Sequence, residues 1–140
     1  MSSSTNVSLL LIIMFMSGSF KNGVEGGLFN PKRVFMTVRN DLKTALTLGC
    51  HSSEDSLGTR ILQTNQTLNF NFKPNFSGTT KFVCNFVWVN NKIYVIHNNY
   101  LIYSYTPDYK LCGHRCLLGI NQDNVTQYDA QNKLVHVYSW

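Results

Sequence analysis

Residues 79–90 read TTKFVCNFVWVN, and this run constrains the fold more than any other in the chain. In an extended backbone Phe82, Cys84, Phe86 and Trp88 share one face, while Val83, Val87 and Val89 line the other. Apolar residues on both faces predict a strand in a central position of a sheet. Shorter runs repeat the same period. Val34, Met36 and Val38 alternate within 33–40, and Leu46, Leu48 and Cys50 within 45–52. Residues 61–74 hold one or two strands, with Leu68, Phe70 and Phe72 facing one way and Asn69 and Asn71 the other, before Pro74 and NFSG make a turn. The pair Asn90–Asn91 parts two strand patterns and predicts a tight hairpin, since Asn tolerates positive φ. Residues 54–60, acidic and carrying Gly58, read as a loop, and so does the polar segment DYKLCGHRC. Short strands are expected again at 117–120, 125–128 and 133–138. With no helical period, the expected fold class is all-β: a small disulfide-bonded β-sandwich of about eight mostly antiparallel strands.

The chain opens with an apolar stretch. From Val7 to Met16 every residue but Ser8 is apolar, and no charge precedes Lys21. A membrane-spanning helix needs about 20 residues, so this stretch fits a signal peptide, residues 1–26, cleaved between about 19 and 27. Residues 27–140 then form a single β-sandwich domain of ordinary size, secreted and without a later membrane anchor. That compartment decides how the cysteines are read. Cys50, Cys84, Cys112 and Cys116 are even in number and all follow the leader, as in a disulfide framework. Zinc sites use paired close knuckles, and only CGHRC is such a pair, so no metal is expected. Three connectivities are open. Because Cys112–Cys116 would close a very small ring, both late cysteines are expected to reach back, one to each early strand.

The net charge is +5, and losing Lys21 and Glu25 with the leader leaves it unchanged. The basic residues are scattered, with Lys32–Arg33 the one adjacent pair, so a general attraction to anionic surfaces is expected and nucleic acid is not. Sequons stand at Asn65, Asn75 and Asn124, each beside a turn-like segment, as glycosylation requires; a fourth, at Asn6, lies in the leader.

The ordered blocks LGCHSSEDSLGTRIL (48–62), LNFNFKPNFSGTTKFVCNFVW (68–88) and CGHRC (112–116) together resemble the plant self-incompatibility protein family, the S-protein homologues. The likeness covers about residues 32–138. Two details depart from it: Leu117 and Leu118 stand where the family commonly has Trp after the last cysteine, and DNVTQY replaces a Gly-aromatic turn. The resemblance implies a small secreted plant protein with a disulfide-bonded β-sandwich. For the few members with known roles it implies a ligand: a stigma-secreted member acts on incompatible pollen through a membrane receptor.

The expected function is therefore a secreted recognition or signalling ligand, a monomer without catalysis or cofactor. It would bind a cell-surface receptor or other membrane protein through loops, since loops vary without disturbing a core. Candidate loops are 52–59, 73–78 and 104–114, with Asp55, Tyr105, Tyr109 and His114 as candidate contacts and Tyr103 as a further aromatic. Two alternatives differ in class. A secreted ribonuclease would need a paired acid and base among His51, His97, His114 and His136 with a cation nearby, and Arg115 beside His114 is the one adjacent cation. A toxin-like antimicrobial protein would draw on the positive charge, but no basic amphipathic helix is visible.

Overall fold

The computed structural model describes residues 32–140, and the side chains of Thr106, Pro107, Tyr109 and Lys110 are not among those described. The expected leader, residues 1–26, lies outside the described residues. Nine strands and one helix are described: β1 (Val34–Asn40), β2 (Leu46–His51), β3 (Ser56–Leu62), β4 (Thr67–Phe72), β5 (Lys81–Asn90), β6 (Ile93–Ser104), α1 (Tyr105–Cys112), β7 (Arg115–Ile120), β8 (Asn124–Tyr128) and β9 (Leu134–Ser139). They form a five-stranded sheet in the order β9-β8-β7-β1-β4 and a four-stranded sheet in the order β3-β2-β5-β6. Every pairing is antiparallel except that of β7 with β1, which is parallel.

Period-two patterning decides which face of each strand is buried. On β1 Val34, Met36 and Val38 are buried and on β5 Phe82, Cys84, Phe86 and Trp88, each at most 2% exposed. The opposed faces meet through aromatic rings. Phe72 of β4 lies 4.5 Å from Phe82 and edge-on to Tyr103 at 4.9 Å. Such pairs add to what their burial alone contributes. β5 does sit inside its sheet, between β2 and β6. Its second face, though, is half open: Val83 and Val87 are partly exposed and Val89 is exposed.

At the far edge of the sandwich the chain closes with Trp140. Its ring stacks on His97 at 4.0 Å and lies against Trp88 and Tyr100, while its indole N–H donates to the Asn121 carbonyl (2.8 Å). Trp88 donates its own indole N–H to Gln122 (2.9 Å), so both polar edges of this seam are satisfied. Fully buried Asn40 does the same for the loop end beneath β1. Its amide donates to the Thr44 and Leu62 carbonyls and its Oδ1 accepts the Leu42 N–H.

Several local expectations are corrected. Residues 54–60 are not all loop: β3 starts at Ser56, and Gly58 (φ 73°) sits opposite a register break between Gly49 and His51. Glycine takes that positive φ without strain, so the strand bulges instead of ending. The β5–β6 hairpin turns one residue later than the Asn90–Asn91 pair suggests. Asn90 pairs with Ile93, and the turn residues Asn91 and Lys92 have φ of 51° and 67°, the primed geometry that matches strand twist. Residues 105–112 form α1 where a loop was expected. Pro107 falls in its first turn, where a missing N–H costs nothing, and Gly113 (φ 66°) ends it.

The disulfides also differ from expectation. Cys50 and Cys84 are directly opposed partners of β2 and β5 and are bonded, with Cα atoms 4.0 Å apart. Cys112 pairs with Cys116, with Cα atoms 5.2 Å apart, within the usual range. The helix and its glycine turn fold the chain back, which makes the small ring possible. Neither late cysteine reaches an early strand.

Trp88 is 2% exposed and packs against His97 and Trp140, so Trp88→Ala should cost about 3–5 kcal/mol through lost contacts and a cavity. Ile61→Ser, at a position 64% exposed, should stay within about 0.5 kcal/mol. Denaturant unfolding of the two variants checks this; equal costs would mean that the seam is not core.

Candidate recognition surface

Strand register gathers the expected loops at one end of the sandwich. His51 opposes Val83, Lys81 opposes Ser104, Val34 opposes Phe72 and Phe35 opposes Arg115. The turns 52–55 and 73–80 and the segment 104–114 therefore all leave the sheets at the same end. Two backbone bonds fasten the 104–114 segment to its neighbours. The Tyr105 N–H donates to the Thr80 carbonyl (3.3 Å), and the Phe35 N–H donates to the His114 carbonyl (2.9 Å).

The candidate contacts fare differently at that end. Asp55 is exposed on a turn closed by Ser52, whose N–H donates to the Asp55 carbonyl (2.8 Å) and whose hydroxyl accepts the Glu54 and Asp55 N–H groups (3.2 and 3.1 Å). His114 is exposed just before β7. Tyr105 is half-buried and packs on the core, and Tyr103 is fully buried, so both serve the fold first. Tyr109 lies on α1, and its side chain is outside the described residues.

One residue escaped the sequence reasoning. Phe76 is 74% exposed, the most exposed of the large apolar side chains described, and it tops the 73–80 turn. The turn beneath it is rigid: Asn75 Oδ1 accepts the Thr79 N–H (2.9 Å) and the Ser77 hydroxyl (3.0 Å), and Asn75 Nδ2 donates to Thr79 Oγ1 (3.0 Å). A large ring on a fixed turn is the kind of anchor that interfaces use. Its signal was present as a lone aromatic inside a turn motif, where alternation carries no information.

The histidines are dispersed. His51 lies on the open face of β2, His97 in the Trp140 seam, His114 before β7 and His136 on β9, its ring 4.1 Å from that of Tyr138. Burial lowers the His97 pKa, since it disfavours the charged imidazolium. Among the described residues no group of three or more His, Cys, Asp or Glu side chains could hold a metal ion. Among them, too, no helix is long and apolar enough to cross a membrane.

Behind the recognition end sits a buried polar network that the sequence did not reveal. Asp108 of α1 reaches back to accept the Ser104 N–H (2.5 Å), satisfying a donor at the helix start. Gln127 of β8 donates to its other oxygen (3.1 Å) and accepts from the Tyr138 hydroxyl (2.9 Å). Burial raises the Asp108 pKa, against the lowering effect of those two donors and of His136.

Comparison with known proteins agrees with this architecture. The family model for plant self-incompatibility protein S1 matches residues 36–140. S-protein homolog 29 of Arabidopsis thaliana is 36% identical over 86 residues, covering 59% of this chain and 60% of its own length. S-protein homolog 2 of the same plant is 27% identical over 154 residues, covering 96% and 92%. A solved structure of a self-incompatibility protein homologue, described as one of a widespread family of small, highly stable, secreted plant proteins, superposes with a TM-score of 0.55 at 19% identity. It covers 79% of this chain and 96% of that one.

The Asp108 network makes a pH prediction. A carboxyl whose folded pKa lies above its unfolded value binds its proton more tightly when folded. Stability therefore falls as pH rises from the ordinary carboxylate value through the raised one, and is flat above it. The difference in unfolding free energy between Asp108→Asn and the parent should change across that window and be constant above it. Thermal unfolding over a pH series measures it; a pH-independent difference would show that burial does not penalise the charge.

Proposed function

The chain belongs to the plant self-incompatibility protein S1 family, and from that premise we propose that it is a secreted extracellular recognition ligand that binds a cell-surface receptor or other membrane protein without catalysis. The observation that carries this reading is the convergence of three segments at one end of a disulfide-pinned sandwich, crowned by exposed Phe76, Asp55 and His114. A rigid scaffold with exposed aromatic and charged groups on short turns loses little conformational freedom on binding. Tyr105, half-buried, supports that surface from behind. The four histidines sit on four separate elements, an arrangement that favours a ligand over a nuclease with a paired acid and base.

Glycosylation fits the same geometry. Asn65, in the β3–β4 turn, and Asn124, at the start of β8, lie toward the opposite end. Glycans there would leave the recognition end clear. Asn75 has its amide held within its turn, so a glycan on it would compete with the Thr79 bond. The protein would act as a monomer, and no cofactor enters the reading.

A panel of Asp55→Ala, Phe76→Ala and His114→Ala tests the proposal on purified glycosylated protein. Each should keep its thermal stability within about 0.5 kcal/mol. Phe76→Ala should weaken attachment to plant plasma membranes about tenfold or more, the scale of a lost anchor residue. If binding falls only where stability falls, the loop end is not the contact surface. Ribonuclease turnover abolished by His114→Ala would replace the ligand reading with an enzymatic one.

A further inference from the structure

The outer face of the five-stranded sheet carries a second site, which starts at the Arg115 end of β7 and runs along the sheet face. Across β1, β7 and β8 runs a groove of 620 Å³, overhung by the β8–β9 turn. It continues into a depression of 260 Å³ over β4, and the two share Thr37 and Arg115. The floor mixes polar side chains with Leu117, Phe35 and Phe70. Thr37 donates to Asn69 (2.7 Å) across the β1–β4 pair, and Tyr128 rises from β8 opposite Leu117. Carboxamides and hydroxyls both donate and accept, so such a floor suits a ligand dense in hydroxyl groups better than an apolar one.

Charge gives the groove a direction. At one end the Arg115 guanidinium lies over the Phe35 ring (5.1 Å), and among the described residues no carboxylate pairs with it. Arg33, bonded to Asn71 (2.7 Å), flanks the same ring's strand. At the other end Asp129 lines the groove, its Oδ1 already accepting the Gln131 and Lys133 N–H groups (2.9 and 3.0 Å). Further along β1 Arg39, over the Tyr128 ring (5.6 Å), is neutralised by Asp41 in a two-point ion pair (2.5 and 3.0 Å). A Cβ on Gly119 would collide with that Asp41 carboxylate and with Thr126, so glycine leaves the pair its seat beside the groove. One anionic group is welcome beside Arg115, and neutral polar groups are welcome towards Asp129. Nucleic acid, which would need a run of free cations along its phosphates, fits this poorly.

We propose that the groove binds an acidic oligosaccharide, with one uronate carboxylate held by Arg115 and neighbouring sugar hydroxyls by Thr37, Asn69 and Tyr128. The guanidinium, stacked and planar, is pre-set for a carboxylate fork. The net positive charge of the chain draws such a polymer in. This site goes beyond receptor recognition: it lies on a sheet face and its lining includes neither Asp55 nor Phe76, so its occupancy can be tested apart from those contacts.

The probe is a short oligogalacturonate, compared with its methyl ester, which keeps the ring hydroxyls and loses the charge, and with a single-stranded oligoribonucleotide. Titration by calorimetry should show binding of the free acid and little of the ester or the RNA. Arg115→Ala should weaken it about tenfold or more, Arg115→Lys less, and Lys92→Ala, on the distant β5–β6 turn, not at all. Amide shifts of the unmodified protein should move on β1, β4, β7 and β8, a readout that survives even if Arg115→Ala folds poorly. Equal affinity for the ester, preference for RNA, no binding, shifts mapping elsewhere, or a stable Arg115→Ala with full affinity would each overturn the proposal. Membrane attachment through Phe76 would be unaffected by any of these results, so the two readings fail separately.

Discussion

Both sheets are referred to the inner face of β5. Phe82, Cys84, Phe86 and Trp88 present four consecutive inward positions, and each fixes a different part of the molecule. Phe82 meets the rings of Phe70 and Phe72 from the other sheet. Cys84 is bonded to β2, and its bond closes a sequence separation of 34 residues, enough to remove about 2–4 kcal/mol of chain freedom from the unfolded state. Phe86 and Trp88 form the wall on which Trp140 closes the open edge. The second bridge spans only four positions and acts locally, locking the end of α1 to the start of β7.

That frame explains why a domain of modest size can carry two different surfaces. The turns at one end are held by backbone and Asx bonds and do not draw on the core for their shape. The groove lies on the outward side of strands whose inward side is fully used. Alternation separates the two tasks: on β1, Met36 and Val38 pack inward while Thr37 and Arg39 face the groove between them.

Alternation was also what made the fold legible in the sequence. Every strand with a clean period of two, such as 34–40, 67–72 and 81–90, was visible, because burial on one face writes that period directly. Where the local pattern depends on something else, reading failed. Gly58 marks a bulge, not a loop, since only the partner strand shows that the ladder resumes. The helix α1 is one of eight residues whose termini carry the signals: Pro107, Asp108 and Gly113. Its composition is mostly polar, and its caps look like turn residues without tertiary context. The cysteine pairing turned on that helix. Asp55 and His114 were legible as exposed residues; Phe76 was not, because alternation says nothing inside a turn, and the Asp108 network and Arg115 groove were not, because they depend on residues brought together from separate elements.

The parallel contact between β1 and β7 has a consequence for how the chain is made. The first described strand is interior to its sheet, with β4 on one side and β7 on the other. As the polypeptide leaves the ribosome, β1 can find β4 early, yet its other edge stays unpaired until Arg115 and the residues after it have been synthesised. Throughout that interval a strand with an apolar inner face offers free N–H and C=O groups to any passing chain. Long-range parallel pairing of this kind is slow and exposed to aggregation. Synthesis from the amino end thus leaves the sheet open at its middle, and the segment from Arg115 onward acts as the piece that seals it.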